Sequence, residues 1–363
     1  MTNDFLESLC RAFGPTGCEE PVAKWIRETG EPLCSSCRTD RAGNVIFTYE
    51  PEHTTEDTQT VMIAAHMDEV GFMINEIDDE GYLRFSLLGE VDPRALCGRN
   101  VTVGNERERV MGVIASKAIH HQTAEERAKI TEPDDMYIDI GATSRDEAEK
   151  HVSVGDFGTF YGHVQTFGED RRYYHAKALD NRAGCAVLLE AMKRLSDGSL
   201  QSSHRLHFCF TVRGEAGPSG AGMAAEFCHP DIAIVIDAAT AADLPDVALV
   251  SRMAELKKGC VLPFSDKKTV YARALVETAL SLAKEKGIAV QIKGNLTGGK
   301  DAAEIQKRGT GAEVLALSVP VRYAHTASSV MYGEDMDAVA DLLSALLASP
   351  FKKQETSHGG QYV

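Results

Sequence analysis

The sequence predicts an α/β fold, a sheet sandwiched by helices, interrupted by an inserted small β-barrel. Three observations carry this expectation. Short apolar runs alternate with helix-length stretches near both ends of the chain, as in a sheet covered on both faces. Between about 71 and 162 the texture changes to GFMINEI, GYLRFSLL, RNVTV, RVMGVIA, MYIDIG and FGTFY, short alternating segments separated by Gly and charged turns, which suggests a small barrel. Finally, 363 residues exceed the size at which a single core usually stops growing. The expected division is an α/β unit from 1–70 and 163–363, with 71–162 as the insert.

Taken in order, two helices over roughly 2–13 and 19–29 flank Gly14-Pro15-Thr16-Gly17, a turn through which neither can continue. Val61-Met62-Ile63-Ala64-Ala65 reads as a buried strand whose end presents His66, Asp68 and Glu69. After the barrel-like segment come a helix from about 181 to 196 and strands at 205–212 and 232–236. A helix near 268–286, strands near 288–292 and 313–318, and a helix near 335–348 follow. The last dozen residues, with Lys352, Lys353 and Gly359-Gly360, read as a solvated tail.

Composition narrows the function. With 54 acidic against 38 basic residues the formal charge is -16, and no Lys/Arg cluster offsets it, which argues against a nucleic-acid partner. MTNDFLESLC has neither a basic n-region nor an apolar h-region, and no apolar run approaches the ~20 residues of a membrane span. A cytoplasmic protein without a membrane partner is expected. Nine scattered cysteines point to reduced thiols, and the Cys34/Cys37 CxxC has neither the second pair of a zinc ribbon nor a thioredoxin-like context.

In open α/β sheets ligands bind beyond the carboxyl ends of the strands. His66 follows VMIAA, Glu215 follows LHFCFTV after two residues, Asp237 directly follows IAIVI, and His325 comes shortly after VLALSVPV. Asp180 stands at the mouth of the helix that begins Asn181-Arg182-Ala183-Gly184, where it could equally be an N-cap. Singly, each is an ordinary turn residue or hydrogen-bonded histidine. Together, two imidazoles and three carboxylates suit two divalent metal ions, Zn²⁺, Co²⁺ or Mn²⁺. Asp68 lies two residues beyond His66 in an extended segment, so both side chains point the same way and Asp68 can accept the second imidazole N–H.

At these residues the chain resembles the tetrahedral or glutamyl-type aminopeptidases, dinuclear metallopeptidases with an inserted barrel. The resemblance spans nearly the whole chain: GPTGCEEPVA, AAHMDEVGFMI, DPRALCGRNVTV, MYIDIGATSRDEAEKHVSVGD, KALDNRAG, AIVIDAATAADLPD, TGGKDAAEI and VPVRYAHTASSV. It implies a mixed sheet, with His66, Asp180 and Asp237 at one metal, Asp180 bridging, Glu215 and His325 completing the second, and Asp68 orienting His66. It also implies removal of N-terminal residues from short peptides or cleavage of related small amides. A homo-oligomer is implied too, from a dimer through the barrel up to a dodecameric shell.

Two positions depart from the family. Where the family usually has two adjacent glutamates, the first a general base, this chain has Gly214 before Glu215. Glycine cannot accept a proton, and loss of a positioned acid or base costs about 10²–10⁴-fold in rate. The alternative reading is therefore a catalytically impaired metal-binding homologue with a peptide-binding or assembly role, or a related deacylase. Glu69 is the nearest replacement base in sequence. Lys300 replaces a usual threonine and is expected to face solvent, as most lysines do. Gly294 to Lys300 mimics a phosphate-binding loop, but Asp301 stands where Mg²⁺ binding needs Ser or Thr.

Overall fold

The computed structural model describes residues 3–55, 58–245, 247–248, 251–294 and 298–351. The expected tail therefore lies outside the described residues, as do the start of the first helix and the middle of the phosphate-loop mimic. Eleven strands among the described residues form the main sheet. At its centre Arg205–Thr211, Thr60–His66, Ile232–Thr240 and Glu313–Arg322 run parallel in that order. Antiparallel strands flank them: Val45–Tyr49 and Ser36–Thr39 on one side, Ser329–Tyr332, Tyr173–Ala176 and Gln165–Phe167 on the other. The sheet is mixed, and the α/β expectation holds.

The central strands are nearly continuous apolar runs because they are covered by helices. The helix Leu179–Ser196 is buried on almost every side, which befits a helix lodged between a sheet and other helices. It packs against Ile232–Thr240 and Thr60–His66, with Asn3–Arg11 and Gly333–Leu347 laid against it. Ser219–Cys228 packs on Arg205–Thr211. That helix is rich in Gly and Ala and carries little amphipathic signal in the sequence. Among the described residues no helix is long and apolar enough to cross a membrane.

Six strands close a separate barrel: Gly71–Ile77, Leu83–Leu88, Met136–Asp139, Arg109–Ser116, Asn100–Gly104 and Phe157–Phe160. It has its own core, in which Phe72 meets Phe85 and Phe160 edge-on with ring centroids 5.4 and 5.3 Å apart.

Two boundaries differ from expectation in ways that affect the site. The strand expected at 232–236 continues to Thr240, so Asp237 sits within a strand paired with Ser318, not just past its end. The helix expected from 268 begins at Arg273. Before it, Asp266 accepts from the backbone N–H of Lys268 and Thr269 and from the Tyr271 hydroxyl. These bonds offer the backbone a turn in place of a helical start.

Candidate metal centre

The carboxyl ends of the parallel strands converge on one cavity of about 620 Å³. His66 ends its strand opposite Thr211 of the neighbour. The chain then turns at Arg213, whose φ of 60° is left-handed, and delivers Gly214 and Glu215 over the imidazole. Asp68 holds this turn, accepting from the Gly214 N–H at 2.8 Å and the Glu215 N–H at 3.0 Å. Its Oδ1 is also 3.4 Å from His66 Nδ1, within ion-pair range although the geometry makes no hydrogen bond.

Asp180 is not an N-cap. It has non-helical φ/ψ of -85° and 105°, while Asn181 anchors the turn by donating to the Ile236 carbonyl at 2.9 Å and accepting from the Gly184 N–H. Gly184 is required here, since a Cβ would lie 2.4 Å from the Asn181 amide oxygen. The result aims Asp180 into the cavity.

There its two oxygens face different histidines. Oδ1 is 3.3 Å from His66 Nε2, and Oδ2 is 3.4 Å from His325 Nε2. Asp237 Oδ1 is 3.6 Å from His66 Nε2, and Glu215 Oε2 is 3.3 Å from His325 Nε2. His325 is oriented by a 2.7 Å contact between its Nδ1 and the Glu90 carbonyl. Two triads result, His66–Asp180–Asp237 and Asp180–Glu215–His325, each with ligand atoms within 4.8 Å of one another. They share Asp180.

Electrostatics fit a cation in both. Burial pushes the Glu215 carboxyl up to about 8, reinforced by the Asp180 charge. Burial would lower His325, but Asp180 and Glu215 raise it to about 10. Burial opposes the charge of His66 as well, yet Asp180, Asp237 and Asp68 raise its pKa. Against burial, the two imidazoles hold Asp180 well below the usual carboxylate range. Without a metal, protons must keep this group of carboxylates together. Glu215 Oε1 is buried without a hydrogen-bond partner, and a buried orphan of this kind points to a missing ion or water. The nitrogen and oxygen donors suit a borderline ion.

Three residues stand differently from expectation. Lys300 does not face solvent: it is 9% exposed, and its ammonium donates to Asp237 Oδ2 at 2.8 Å and to the Ala238 carbonyl at 2.5 Å. A carboxylate set inside the sheet provides the partner that a buried lysine requires. Glu69 is not available as a base. It is 1% exposed, its oxygens take Lys177 at 2.6 and 2.8 Å, Arg182 at 3.3 Å and Thr159 at 2.8 Å, and it does not line the cavity. Gly214 is a close-approach glycine, because a Cβ there would lie 2.4 Å from His66 Cγ. Sequence reasoning missed Lys267, Lys268 and Lys293, which line the cavity with Lys300 and Asp301; their convergence has no local signal.

Comparison with known proteins agrees with this architecture. Residues 43–342 match the M42 glutamyl aminopeptidase family. FrvX of Escherichia coli (strain K12) is 31% identical over 96% of each chain. The crystal structure of a TET aminopeptidase from a marine sediment archaeon of the Thaumarchaeota superposes with a TM-score of 0.91 at 32% identity, covering 96% of each chain. The TET1 peptidase of Pyrococcus horikoshii, described as assembling into a tetrahedron or a large octahedral shell, superposes with a TM-score of 0.83 at 32% identity over 96% of this chain and 99% of its own. The chain is a member of the M42 glutamyl aminopeptidase family, a hydrolase of metal-dependent peptidase type.

Proposed function

We propose that this chain removes N-terminal residues from short peptides with two divalent ions, Zn²⁺, Co²⁺ or Mn²⁺, held by His66, Asp180 and Asp237 on one side and by Asp180, Glu215 and His325 on the other. The observation that carries this reading is the Asp180 carboxylate, whose two oxygens face two different imidazoles at 3.3 and 3.4 Å, the posture of a bridging ligand. When bound, such ions polarise the scissile carbonyl, activate water and hold the free α-amine. The chain's own part is positional. Asp68 ties the Gly214–Glu215 turn to the His66 strand, the Glu90 carbonyl fixes the His325 ring, and Asn181 fixes the entry to the Asp180 turn. Lys267, Lys268 and Lys293 line the cavity and favour substrates with an acidic group, such as an N-terminal Glu or Asp. The barrel exposes Met111, Val113, Ile119 and Ile130, which suits assembly with further copies from a dimer up to a dodecamer, in the cytoplasm.

Gly214 supports a second reading, a metal-binding homologue with impaired catalysis. A carboxylate cannot simply be restored there, given the 2.4 Å approach to His66. Asp301, whose carboxyl burial raises to about 6, also lines the cavity and accepts from the Thr211 hydroxyl at 2.6 Å. The deciding experiment measures hydrolysis of glutamyl-, leucyl- and lysyl-p-nitroanilide and of N-acyl amino acids by the metal-loaded protein, with Asp180→Asn as the blank. Turnover above the blank, highest for the glutamyl substrate, upholds the aminopeptidase reading. Turnover equal to the blank while ions still bind leaves the impaired homologue, and turnover confined to N-acyl amino acids makes it a deacylase.

A further inference from the structure

The two triads are not electrostatically alike. Lys300 donates to Asp237 Oδ2 at 2.8 Å, and the Ala238 N–H donates to Oδ1 at 2.8 Å, the oxygen that faces His66. Both oxygens of Asp237 thus have a donor before any cation arrives. The donor on Oδ2 is the buried Lys300 ammonium, fixed at its other side by the Ala238 carbonyl. Asp237 can offer the site one oxygen of reduced donor strength, and an ion beside His66 meets a like charge through a single carboxylate. In the other triad, among the described residues, the ion-pair partner of Asp180 Oδ2 and of Glu215 Oε2 is the His325 imidazole and not a lysine. Glu215 instead keeps Oε1 buried without a hydrogen-bond partner, an acceptor still open to a cation.

We propose that Lys300 makes the two metal positions unequal. The Asp180–Glu215–His325 position fills first, and the His66–Asp180–Asp237 position fills only at much higher ion concentration, so the chain is a one-ion protein over a broad range of metal supply. This rests on the two-metal reading and goes beyond it, assigning Lys300 as a positioning residue that acts through Asp237. Repulsion between two ions sharing a carboxylate separates the binding steps in any such pair, so the effect of the lysine is read from a variant. Changing a residue that supports a ligand alters metal affinity by about 10–100-fold.

The test uses the full chain stripped of metal and titrated with Co²⁺ and with Zn²⁺, following heat, bound metal after dialysis and, for Co²⁺, visible absorption. Two steps are expected, with the weak step tightening by about 10–100-fold in Lys300→Met and staying weak in Lys300→Arg, which keeps the charge. His325→Ala should abolish the tight step, while His66→Ala should leave it in place. Melting curves of the metal-free variants show whether each is folded; if Lys300→Met is not, the His66/His325 pair and the native titration still decide which position is tight. Two ions bound with one constant, a step separation unchanged in Lys300→Met, or loss of the tight step in His66→Ala overturns the proposal. Failure of the native chain to bind any ion overturns the two-metal reading itself, and is distinct from those three results.

Discussion

Two groups of charge lie on either side of one short segment, His66-Met67-Asp68-Glu69. On one side Glu69 meets Lys177, Arg182 and the Thr159 hydroxyl, so that cations and a donor cover both of its oxygens. On the other, Asp180, Glu215 and Asp237 face two imidazoles across a cavity, with Glu215 Oε1 left unpartnered. Both groups are ionic, the first fully buried and the second partly buried in the cavity wall. The difference lies in balance: a buried charge matched by fixed opposite charge and donors closes a structure, whereas an excess of acceptors facing one another marks a place for a cation that the chain does not itself supply. Glu69 ties the Gly14–Gly17 turn and the barrel to the sheet, since its backbone also bonds to Gly14 and Thr16. Asp68 and His66, one and three residues earlier, belong to the other group.

The sharpest way to break this contrast is to remove one charge from each side. Glu69→Gln leaves Lys177 and Arg182 buried without their partner and is expected to cost about 3–5 kcal/mol of stability, read by urea unfolding in the presence of chelator. Asp180→Asn, by contrast, gives up the hold of the two imidazoles on the Asp180 charge but also relieves its repulsion of Glu215, and should cost the metal-free chain less than Glu69→Gln does; equal losses in the two variants would remove the distinction. Next in size is the cation itself. At a free ion concentration about 100 times the dissociation constant, the native chain should gain about 2.7 kcal/mol, a gain that chelator reverses and Asp180→Asn lacks.

A smaller effect tests the glycine between the two sides. Gly214→Ala places a methyl where only 2.4 Å separates it from His66 Cγ and is expected to cost about 1–3 kcal/mol, with weaker ion binding at the His66 position. A melting curve indistinguishable from that of the native chain would mean that the turn relaxes freely. The smallest effect comes from a matched pair nearer the surface. Arg322 donates to both oxygens of Asp243 at 2.8 and 2.6 Å; although burial works the other way, this pair holds the Asp243 carboxyl below its usual range. Because the folded pKa is depressed, its stabilisation is present above the unfolded value of about 3.9 and is lost as pH falls through the folded one. Asp243→Asn should therefore lose about 0.5–1 kcal/mol at neutral pH, and the gap to the native chain should close below about pH 4. A gap that persists at lower pH would show packing rather than charge.

Much of this was legible along the chain. Residues such as Val61 to Ala65 and Ile232 to Ile236 announce parallel strands by their unbroken apolar character, and the five donor-type residues stand at or near the ends of such elements. In a parallel sheet those ends lie on one side, so sequence positions far apart become neighbours. Lys300 was not legible, because its partner Asp237 lies 63 residues away and nothing local distinguishes it from a solvated lysine. Glu69 was misleading for the same reason: its proximity to His66 is local, while Lys177, which closes it, lies 108 residues on. The late start of the helix at Arg273 depended on Asp266, whose side chain bonds to the turn it begins.

The sequence by itself determined the α/β class, the inserted barrel texture and the kinds of donor available, because apolar period and residue chemistry are properties of short stretches. Only the tertiary structure decided that Asp180 turns one oxygen to each histidine, that Gly214 lies against the His66 ring, and that a lysine is buried on Asp237. Those are distances between segments brought together by strand order and helix packing, and no local pattern encodes them.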